Sequence, residues 1–259
     1  MLSRRIGASA VFTIAHISDL HIGGRPESVE RAEQVIAHVM AMAPAPDVLL
    51  VTGDIADHGD DEEHATAHRL LSAWTGLLLV GTGNHDVREP FARHLLGTER
   101  WGPLDQALDV GAHRLLMLDS LVPAVDGVRQ DHGLLAPETL TWLESELGSF
   151  DGPTFVCLHH PPTTVGIERA DAIQLHNGSE LEAVLARHPH VVGVLVGHNH
   201  TMCATTFAGR PCLVGGGVVS GVTLDQEPLP HVWLDAPPSL AVHLVGDDGR
   251  LTTFWRALA

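Results

Sequence analysis

The sequence contains no lysine and no tyrosine, so all 15 of its basic residues are arginines. Acidic residues are in large excess and give a formal net charge of −17 at pH 7. Because a strongly acidic surface repels the backbone of DNA and RNA, large nucleic-acid partners are disfavoured. A small anionic substrate remains compatible with this charge, since bound metal cations reverse the sign locally.

Cysteines are few, and their spacing excludes a disulfide framework. The three cysteines, Cys157, Cys203 and Cys212, form no pattern of paired ligands, which also argues against a structural zinc site. The sequence therefore predicts a cytoplasmic protein. No run reaches the roughly 20 apolar residues of a membrane span. The stretch after Arg4 and Arg5 is too short and too polar for a secretory leader.

Apolar runs typical of buried strands alternate with amphipathic helical patterns through most of the chain. After His200 the pattern changes to short strands and turns, and no repeat or linker interrupts it. We therefore predict one domain over residues 1–259, with two mixed sheets packed face to face and helices outside. The predicted strands are Val11–Ser18, Val48–Thr52, Leu77–Val80, His113–Leu118, Thr154–Leu158, Val191–Val196, Pro211–Val219, Val232–Leu234 and Leu240–Val245. The predicted helices are Glu27–Met42, Asp61–Trp74, Val87–Leu96, Pro137–Leu147 and Ser179–Arg187.

Five of the predicted strands run directly into Asp, Asn or His residues. Because loops beyond the carboxyl ends of strands gather at one edge of an α/β sheet, we expect these side chains to converge. Residues two apart point the same way on an extended backbone, so Asp19 and His21, like His198 and His200, could reach one centre. The five motifs are Asp19-Leu20-His21, Gly53-Asp54, Gly83-Asn84-His85-Asp86, His159-His160 and Gly197-His198-Asn199-His200.

These residue types indicate a metal centre. Carboxylate, imidazole and amide oxygen ligands together suit first-row divalent ions such as manganese, iron, cobalt or zinc. A single Asp or His after a strand is usually only a turn or cap residue. Five such motifs, with a carboxylate available to bridge, are typical of two-metal hydrolysis.

The order of the motifs, from Asp19 to His200, resembles the calcineurin-like binuclear metallophosphoesterase superfamily. The run His159-His160-Pro161-Pro162 is most similar to the class III cyclic-nucleotide phosphodiesterases. The resemblance implies an α/β fold in which two mixed β-sheets and flanking helices form a four-layer α/β/β/α sandwich. It implies that His85 is a non-ligand histidine facing the leaving group and that Asp86 orients it. It also implies two divalent transition metal ions, one held by Asp19, His21, Asp54 and His200 and the other by Asp54, Asn84, His159 and His198.

The charge of such a centre predicts the class of substrate. Two divalent ions contribute +4, Asp19 and Asp54 contribute −2 and a bridging hydroxide −1, so about +1 remains for a phosphodiester monoanion. We therefore predict a metal-dependent phosphodiesterase in which this hydroxide attacks small phosphodiesters, with 3′,5′-cyclic nucleotides such as cyclic AMP as the first assignment. The alternatives are a glycerophosphodiesterase, a broad-specificity phosphodiesterase/phosphomonoesterase, and a non-catalytic scaffold of the same fold. The resemblance also allows a homodimer.

Several residues near the motifs have competing interpretations. Arg25 and Arg88 are candidates for substrate contact, because without lysine only arginine can add positive charge. His160 is predicted to be structural, with its side chain pointing away from that of His159. His176 or Asn177 could contact substrate, although Asn177 is also a plausible helix cap. A sheet bend is expected at residues 215–217, and the histidines outside the motifs, among them His58 and His64, are expected to be solvated or packed.

Overall fold

The computed structural model describes residues 11–259, in which helices and strands are interspersed up to Val196 and strands alone follow. The expectation about Arg4 and Arg5 lies outside the described residues. The strands are β1 (Phe12–Ile17), β2 (Val48–Thr52), β3 (Leu77–Gly81), β4 (Gln106–Val110), β5 (His113–Met117), β6 (Thr154–Leu158), β7 (Val191–Val196), β8 (Cys203–Phe207), β9 (Arg210–Val214), β10 (Gly221–Val222), β11 (Val232–Trp233), β12 (Ser239–Val245) and β13 (Leu251–Ala257). The helices are α1 (Ser28–Met40), α2 (Asp61–Leu71), α3 (Arg88–Leu95), α4 (Pro137–Gly148), α5 (Glu168–Asp171) and α6 (Gly178–Leu185).

Two large mixed sheets carry the fold. The first has the strand order β13-β12-β1-β2-β3 and the second β4-β5-β6-β7-β9-β8, while β10 and β11 form a separate two-stranded ribbon. In the first sheet, β1, β2 and β3 are parallel, and in the second β5, β6, β7 and β9 are parallel. The antiparallel strands lie toward the edges, so the parallel strands direct their carboxyl ends to one side of each sheet.

Three apolar clusters separate the layers. Ile14 and Leu50 of the first sheet pack against Phe155 and Leu195 of the second, so the two sheets meet face to face. The opposite face of the first sheet packs against α1 and α2, and that of the second packs against α4 and α6. The four-layer α/β/β/α sandwich implied by the sequence is confirmed. None of the helices within residues 11–259 is long and apolar enough to cross a membrane.

The burial of β2 and β6 explains why they were predicted at their observed bounds. All five residues of each strand are buried, because each strand lies in the interior of a two-sided sheet. Helix α4 was predicted with similar accuracy, since Pro137 occupies its first turn and Leu143 and Leu147 face the core.

The prediction missed β4, β8, β10, β13 and α5, and it extended the strand that begins near Pro211 too far. Strand β4 is an edge strand whose residues alternate between exposed and partly buried, so it has no apolar run. The predicted strand Pro211–Val219 ends at Val214, and the glycines that follow bring the backbone close to other segments. A Cβ atom on Gly217 would lie 2.4 Å from the carbonyl oxygen of Ser220, so close approach accounts for this glycine.

Candidate metal centre

The loop after β1 and the loop after β7 meet at the carboxyl ends of the parallel strands. His200 Nε2 lies 3.5 Å from Asp19 Oδ1 and 3.2 Å from His21 Nε2. His21 Nε2 lies 3.4 Å from Asp54 Oδ2. One ligand atom from each of these four residues lies within 4.8 Å of all the others. The structure therefore brings together the first predicted ligand set.

A second group adjoins the first through Asp54. His159 Nε2 lies 3.2 Å from Asn84 Oδ1 and 3.2 Å from His198 Nδ1. The same nitrogen lies 3.4 Å from Asp54 Oδ2. One oxygen of Asp54 is thus equally distant from His159 and from His21, so its carboxylate lies between the two groups.

The protonation pattern of the rings fits a cation between these atoms. The carbonyl oxygen of Thr52 can only accept, so His159 Nδ1, at 2.6 Å, must carry the proton. His21 Nδ1 lies 2.7 Å from a carboxylate oxygen of Asp57 and is protonated for the same reason. In the neutral rings both Nε2 atoms then present lone pairs toward the Asp54 carboxylate, an arrangement that a metal ion stabilises.

A buried polar atom without a partner supports the same conclusion. Among the described residues, Asp19 Oδ2 is buried and forms no hydrogen bond. Burial raises the pKa of Asp19 to about 6, whereas burial and the nearby His159 lower the pKa of His198 well below its usual value. Such groups are costly unless a ligand satisfies them, and a divalent cation would do so.

Asp54 and His159 form a charged pair in the metal-free protein. Burial alone would lower the pKa of His159, but the charge and hydrogen bond of Asp54 outweigh burial and raise that pKa to about 9. Burial likewise opposes ionisation of Asp54, yet the charge of His159 lowers its pKa well below the usual value. Since the proton and a metal ion use the same lone pair, metal binding releases this proton.

The backbone at the ligand residues corrects one sequence-based expectation. The predicted pairs do not lie on extended backbone, because these residues adopt the left-handed region that non-glycine residues seldom occupy. Each such residue costs on the order of 1–3 kcal/mol, which surrounding contacts must offset. The φ angles are 59° at Asp19, 44° at His21, 49° at Asp54, 71° at His198 and 48° at His200.

His85 lies beside both groups. Asp86 was expected to orient the His85 ring, but it does not contact that ring. The His85 backbone N–H donates to Asp54 Oδ1 at 2.9 Å, and its Nδ1 lies 2.7 Å from the carbonyl oxygen of Asp57. None of the hydrogen bonds of Asp86 within the described chain goes to the His85 ring. Its carboxylate instead accepts from the backbone N–H groups of Gly83, Ile55 and Ala56 and from His64. Asp86 therefore ties the loops after β2 and β3 together.

The structure also bears on the expectations for His160 and Asn177. The ring of His160 lies 4.9 Å from that of His159 and 4.6 Å from that of His198, so it does not point away. Both His160 nitrogens are within hydrogen-bond distance of Ser120 or a backbone oxygen, which agrees with a structural role. The side chain of Asn177 exchanges two hydrogen bonds with the backbone of Leu135, so it joins α6 to the segment before α4.

The two arginines predicted from the sequence to contact substrate, Arg25 and Arg88, form hydrogen bonds within the protein instead. Arg88 pairs with Asp119 through two nitrogens, at 2.6 and 3.0 Å. Arg25 donates to the carbonyl oxygen of Leu234 at 2.6 Å. The arginine that approaches His85 is Arg129, whose Nη1 lies 2.8 Å from His85 Nδ1.

Sequence reasoning missed Asp57, His64 and Arg129. Asp57 follows Asp54 by three residues, so its closeness to the Gly53-Asp54 motif could have marked it. Nothing around His64 signals its contact with Asp86, because the two residues lie in different elements. Arg129 follows the dipeptide Asp126-Gly127, whose turn preference was its one local signal.

A cavity of about 630 Å³ opens beside Asn84 and His85. Its volume falls within the range of sites for drug-sized ligands. Much of its lining, called here the apolar wall, is apolar, and three arginines also contribute to the lining. The apolar wall consists of Val87, Trp101, Leu121, Val122, Pro123 and Ala124.

Comparisons with known proteins agree with this geometry. A family model described as calcineurin-like phosphoesterase matches residues 12–202. The chain is 30% identical over 244 residues to a glycerophosphodiester phosphodiesterase of Enterobacter lignolyticus, covering 89% of this chain and 86% of the relative. It is 32% identical over 257 residues to a 3′,5′-cyclic adenosine monophosphate phosphodiesterase of Pseudomonas aeruginosa, covering 93% and 88%. A dimetal phosphatase from Danio rerio shares the fold, with a TM-score of 0.67, 15% identity and 96% and 99% coverage.

Proposed function

Because the chain belongs to the calcineurin-like phosphoesterase family and is a metal-dependent phosphoric diester hydrolase, we propose that it acts on small phosphodiesters, with 3′,5′-cyclic nucleotides such as cyclic AMP as the first assignment. The observation that carries this proposal is the position of Asp54, whose Oδ2 lies 3.4 Å from both His21 Nε2 and His159 Nε2. A carboxylate between two ligand groups is the arrangement that two-metal hydrolysis requires.

We assign the two groups to two first-row divalent cations, with manganese, iron, zinc and cobalt as the candidates. When bound, two such cations lower the pKa of a water molecule and neutralise charge on the phosphoryl oxygens. The first cation is assigned to Asp19, His21, Asp54 and His200, and the second to Asp54, Asn84, His159 and His198.

His85 is proposed to act on the leaving group. Its backbone N–H fixes Asp54, and the hydrogen bond of Nδ1 to the Asp57 carbonyl fixes its ring. The ring lines the cavity, and among the described residues none accepts from or donates to its Nε2. A proton moving from Nε2 to the departing alkoxide oxygen would stabilise a poor leaving group. Asp86 contributes by holding the loop that carries His85.

The cavity favours a nucleoside over a smaller organic group. Glycerol would leave the apolar wall around Trp101 and Leu121 exposed to water, whereas a planar base would cover part of it. The similarity to a glycerophosphodiester phosphodiesterase keeps glycerophosphodiesters as the second candidate. The convergence of all the predicted ligand residues argues against a non-catalytic scaffold.

Side-by-side kinetics test the substrate assignment. The metal-reconstituted protein is assayed with cyclic AMP, glycerophosphoethanolamine and a phosphomonoester. We expect kcat/KM for cyclic AMP to exceed the others by at least about tenfold, the discrimination that an apolar pocket commonly provides. A higher kcat/KM for glycerophosphoethanolamine would contradict the assignment and favour the second candidate.

We further propose that residues 1–259 form one domain that functions in a reducing compartment, with the cytoplasm as the first assignment. Cys157, Cys203 and Cys212 are free thiols, and Cys157 and Cys212 are buried. Burial raises the pKa of the Cys212 thiol to about 12, so this thiol is protonated and unreactive near neutral pH.

A further inference from the structure

Arg129 lines the cavity beside Asn84 and His85. Its Nη1 is 2.8 Å from His85 Nδ1, and its Nε is 2.7 Å from Asp131 Oδ1. Asp131 Oδ1 also lies 3.5 Å from Asn84 Nδ2. Arg129 is therefore linked to both Asn84 and His85, although no sequence motif includes it.

The contact between Arg129 and His85 leaves an N–H group of Arg129 without an acceptor among residues 11–259. His85 Nδ1 carries a proton, because the carbonyl oxygen of Asp57, at 2.7 Å, can only accept. An arginine N–H cannot donate to a nitrogen that is itself a donor. Arg129 Nη1 thus points at a neighbour that cannot satisfy it, and the open cavity adjoins it.

A tight hairpin turn directly precedes Arg129 in the chain. Val125 and Val128 exchange two backbone hydrogen bonds of 2.9 and 3.0 Å. The two residues between them, Asp126 and Gly127, both have positive φ angles, of 51° and 75°. These features define a two-residue turn of the primed type, which is a well-determined connection. The turn fixes the backbone next to Arg129, and the contact of Nε with Asp131 restrains the side chain, which lowers the entropy cost of binding.

The other arginines around the cavity are less suited to this role. Both Nε and Nη2 of Arg88 are bound to Asp119. Arg100 lines the cavity, and its one hydrogen bond within residues 11–259 goes to the carbonyl oxygen of Asp105, at 3.5 Å. Arg129 combines proximity to His85 with a side chain that is 46% exposed.

We propose that Arg129 is a substrate-binding residue that donates hydrogen bonds to a non-bridging phosphoryl oxygen of the bound phosphate ester. A guanidinium suits phosphate oxygens because its planar fork forms charge-assisted hydrogen bonds. Asp131 holds Nε, so that Nη1 and Nη2 remain for the ligand. The inference rests on the proposed phosphodiesterase function but is independent of whether the organic group is a nucleoside or glycerol.

Inorganic phosphate is a suitable probe, because it shares the phosphoryl oxygens and lacks the organic group. Phosphate binding to metal-loaded wild type and R129Q is measured by calorimetry and as inhibition of bis(p-nitrophenyl) phosphate hydrolysis. We expect R129Q to bind phosphate about tenfold to a hundredfold more weakly, the loss typical of hydrogen bonds to a charged group. Metal content and Tm should match wild type, and R129K should recover part of the affinity.

R100Q is the matched control, since it removes the same charge from the same cavity without a contact to His85. An equal loss in R100Q and R129Q would overturn the inference, because charge alone would then explain the effect. Unchanged phosphate affinity in R129Q, or a loss of bound metal, would also overturn it. The calorimetric result stands even if no diester is hydrolysed, so failure of the proposed function is distinguishable from failure of this inference.

Discussion

His21 and Asp57 form a partly buried imidazole–carboxylate pair, with Nδ1 of the ring 2.7 Å from Oδ1 of the carboxylate. The contact places the proton of the ring on Nδ1 and directs the lone pair of Nε2 toward Asp54. The hydrogen bond to His21 also lowers the pKa of Asp57, so the carboxylate is ionised at neutral pH. A partner of this kind fixes the tautomer and raises the basicity of a metal ligand.

Asp57→Asn should therefore weaken metal binding without unfolding the protein. We expect a loss of affinity of about tenfold to a hundredfold, because a neutral amide orients the ring less well. The measurement is metal competition against a fluorescent chelator. Asp109→Asn is the control, since Asp109 pairs with Arg114 on the surface. Unchanged affinity in Asp57→Asn would show that the pair does not support the ligand.

Substitution of His85 should affect turnover and spare metal content. His85→Ala keeps every proposed ligand, so we expect normal metal stoichiometry and a decrease in kcat of about a hundredfold or more for alkyl esters. The loss should be smaller for bis(p-nitrophenyl) phosphate, whose leaving group needs no proton. Equal losses on both substrates would contradict leaving-group assistance by His85.

Asp86→Ala should lower stability, because the carboxylate accepts hydrogen bonds from several backbone N–H groups. The Gly83 and Ala56 N–H groups, at 2.8 and 2.9 Å, would lose their acceptor in the protein interior. We expect a decrease of about 2–4 kcal/mol in the free energy of unfolding, since each buried unsatisfied group costs about 1–3 kcal/mol. Urea denaturation of the metal-free protein measures this. A decrease below about 0.5 kcal/mol, the range of ordinary surface substitutions, would contradict the assigned role.

Acid should destabilise the first sheet through His243. Burial lowers the pKa of His243 to about 3, and burial also lowers that of His16, whose ring lies 3.1 Å away. The folded-state pKa of His243 is below the ordinary value of 6.5. The neutral ring therefore contributes fully to the free energy of unfolding above pH 6.5, and this contribution is lost as pH falls toward 3. Each pH unit below 6.5 should cost about 1.4 kcal/mol for this histidine.

The difference in the free energy of unfolding between wild type and His243→Gln isolates the effect of His243. His243 faces His16 and Thr253, and Gln can keep a hydrogen bond without titrating. Urea denaturation between pH 7 and pH 5 should show that wild type loses more stability than the variant. His68→Gln, an exposed substitution on α2, should follow wild type. Parallel pH profiles for wild type and His243→Gln would contradict the prediction.

Predictions from the sequence succeeded where strands are buried on both faces and where residues belong to a motif. Strands β2 and β6 were predicted at their observed bounds because both faces are covered, whereas β4 and β13 lie toward or at sheet edges and contain no continuous apolar run. The convergence of the proposed ligand residues could be predicted because each of them follows a strand. The left-handed backbone at Asp19 and His200 could not be predicted, since it depends on contacts between loops.

The same limit explains the residues that were missed. His64 meets Asp86 and Arg129 meets His85 only after separate elements pack together. No spacing in the sequence encodes such a contact. Sequence reasoning therefore predicted the residues that the structure brings together, but not the side chains that hold them in place.

The most direct test is the metal content of wild type and Asp54→Ala after reconstitution with Mn²⁺ and removal of free metal. Because Asp54 lies between both ligand groups, the account predicts two ions per chain in wild type and fewer than one in the variant. Two ions retained in Asp54→Ala, or at most one in wild type, would contradict the binuclear centre.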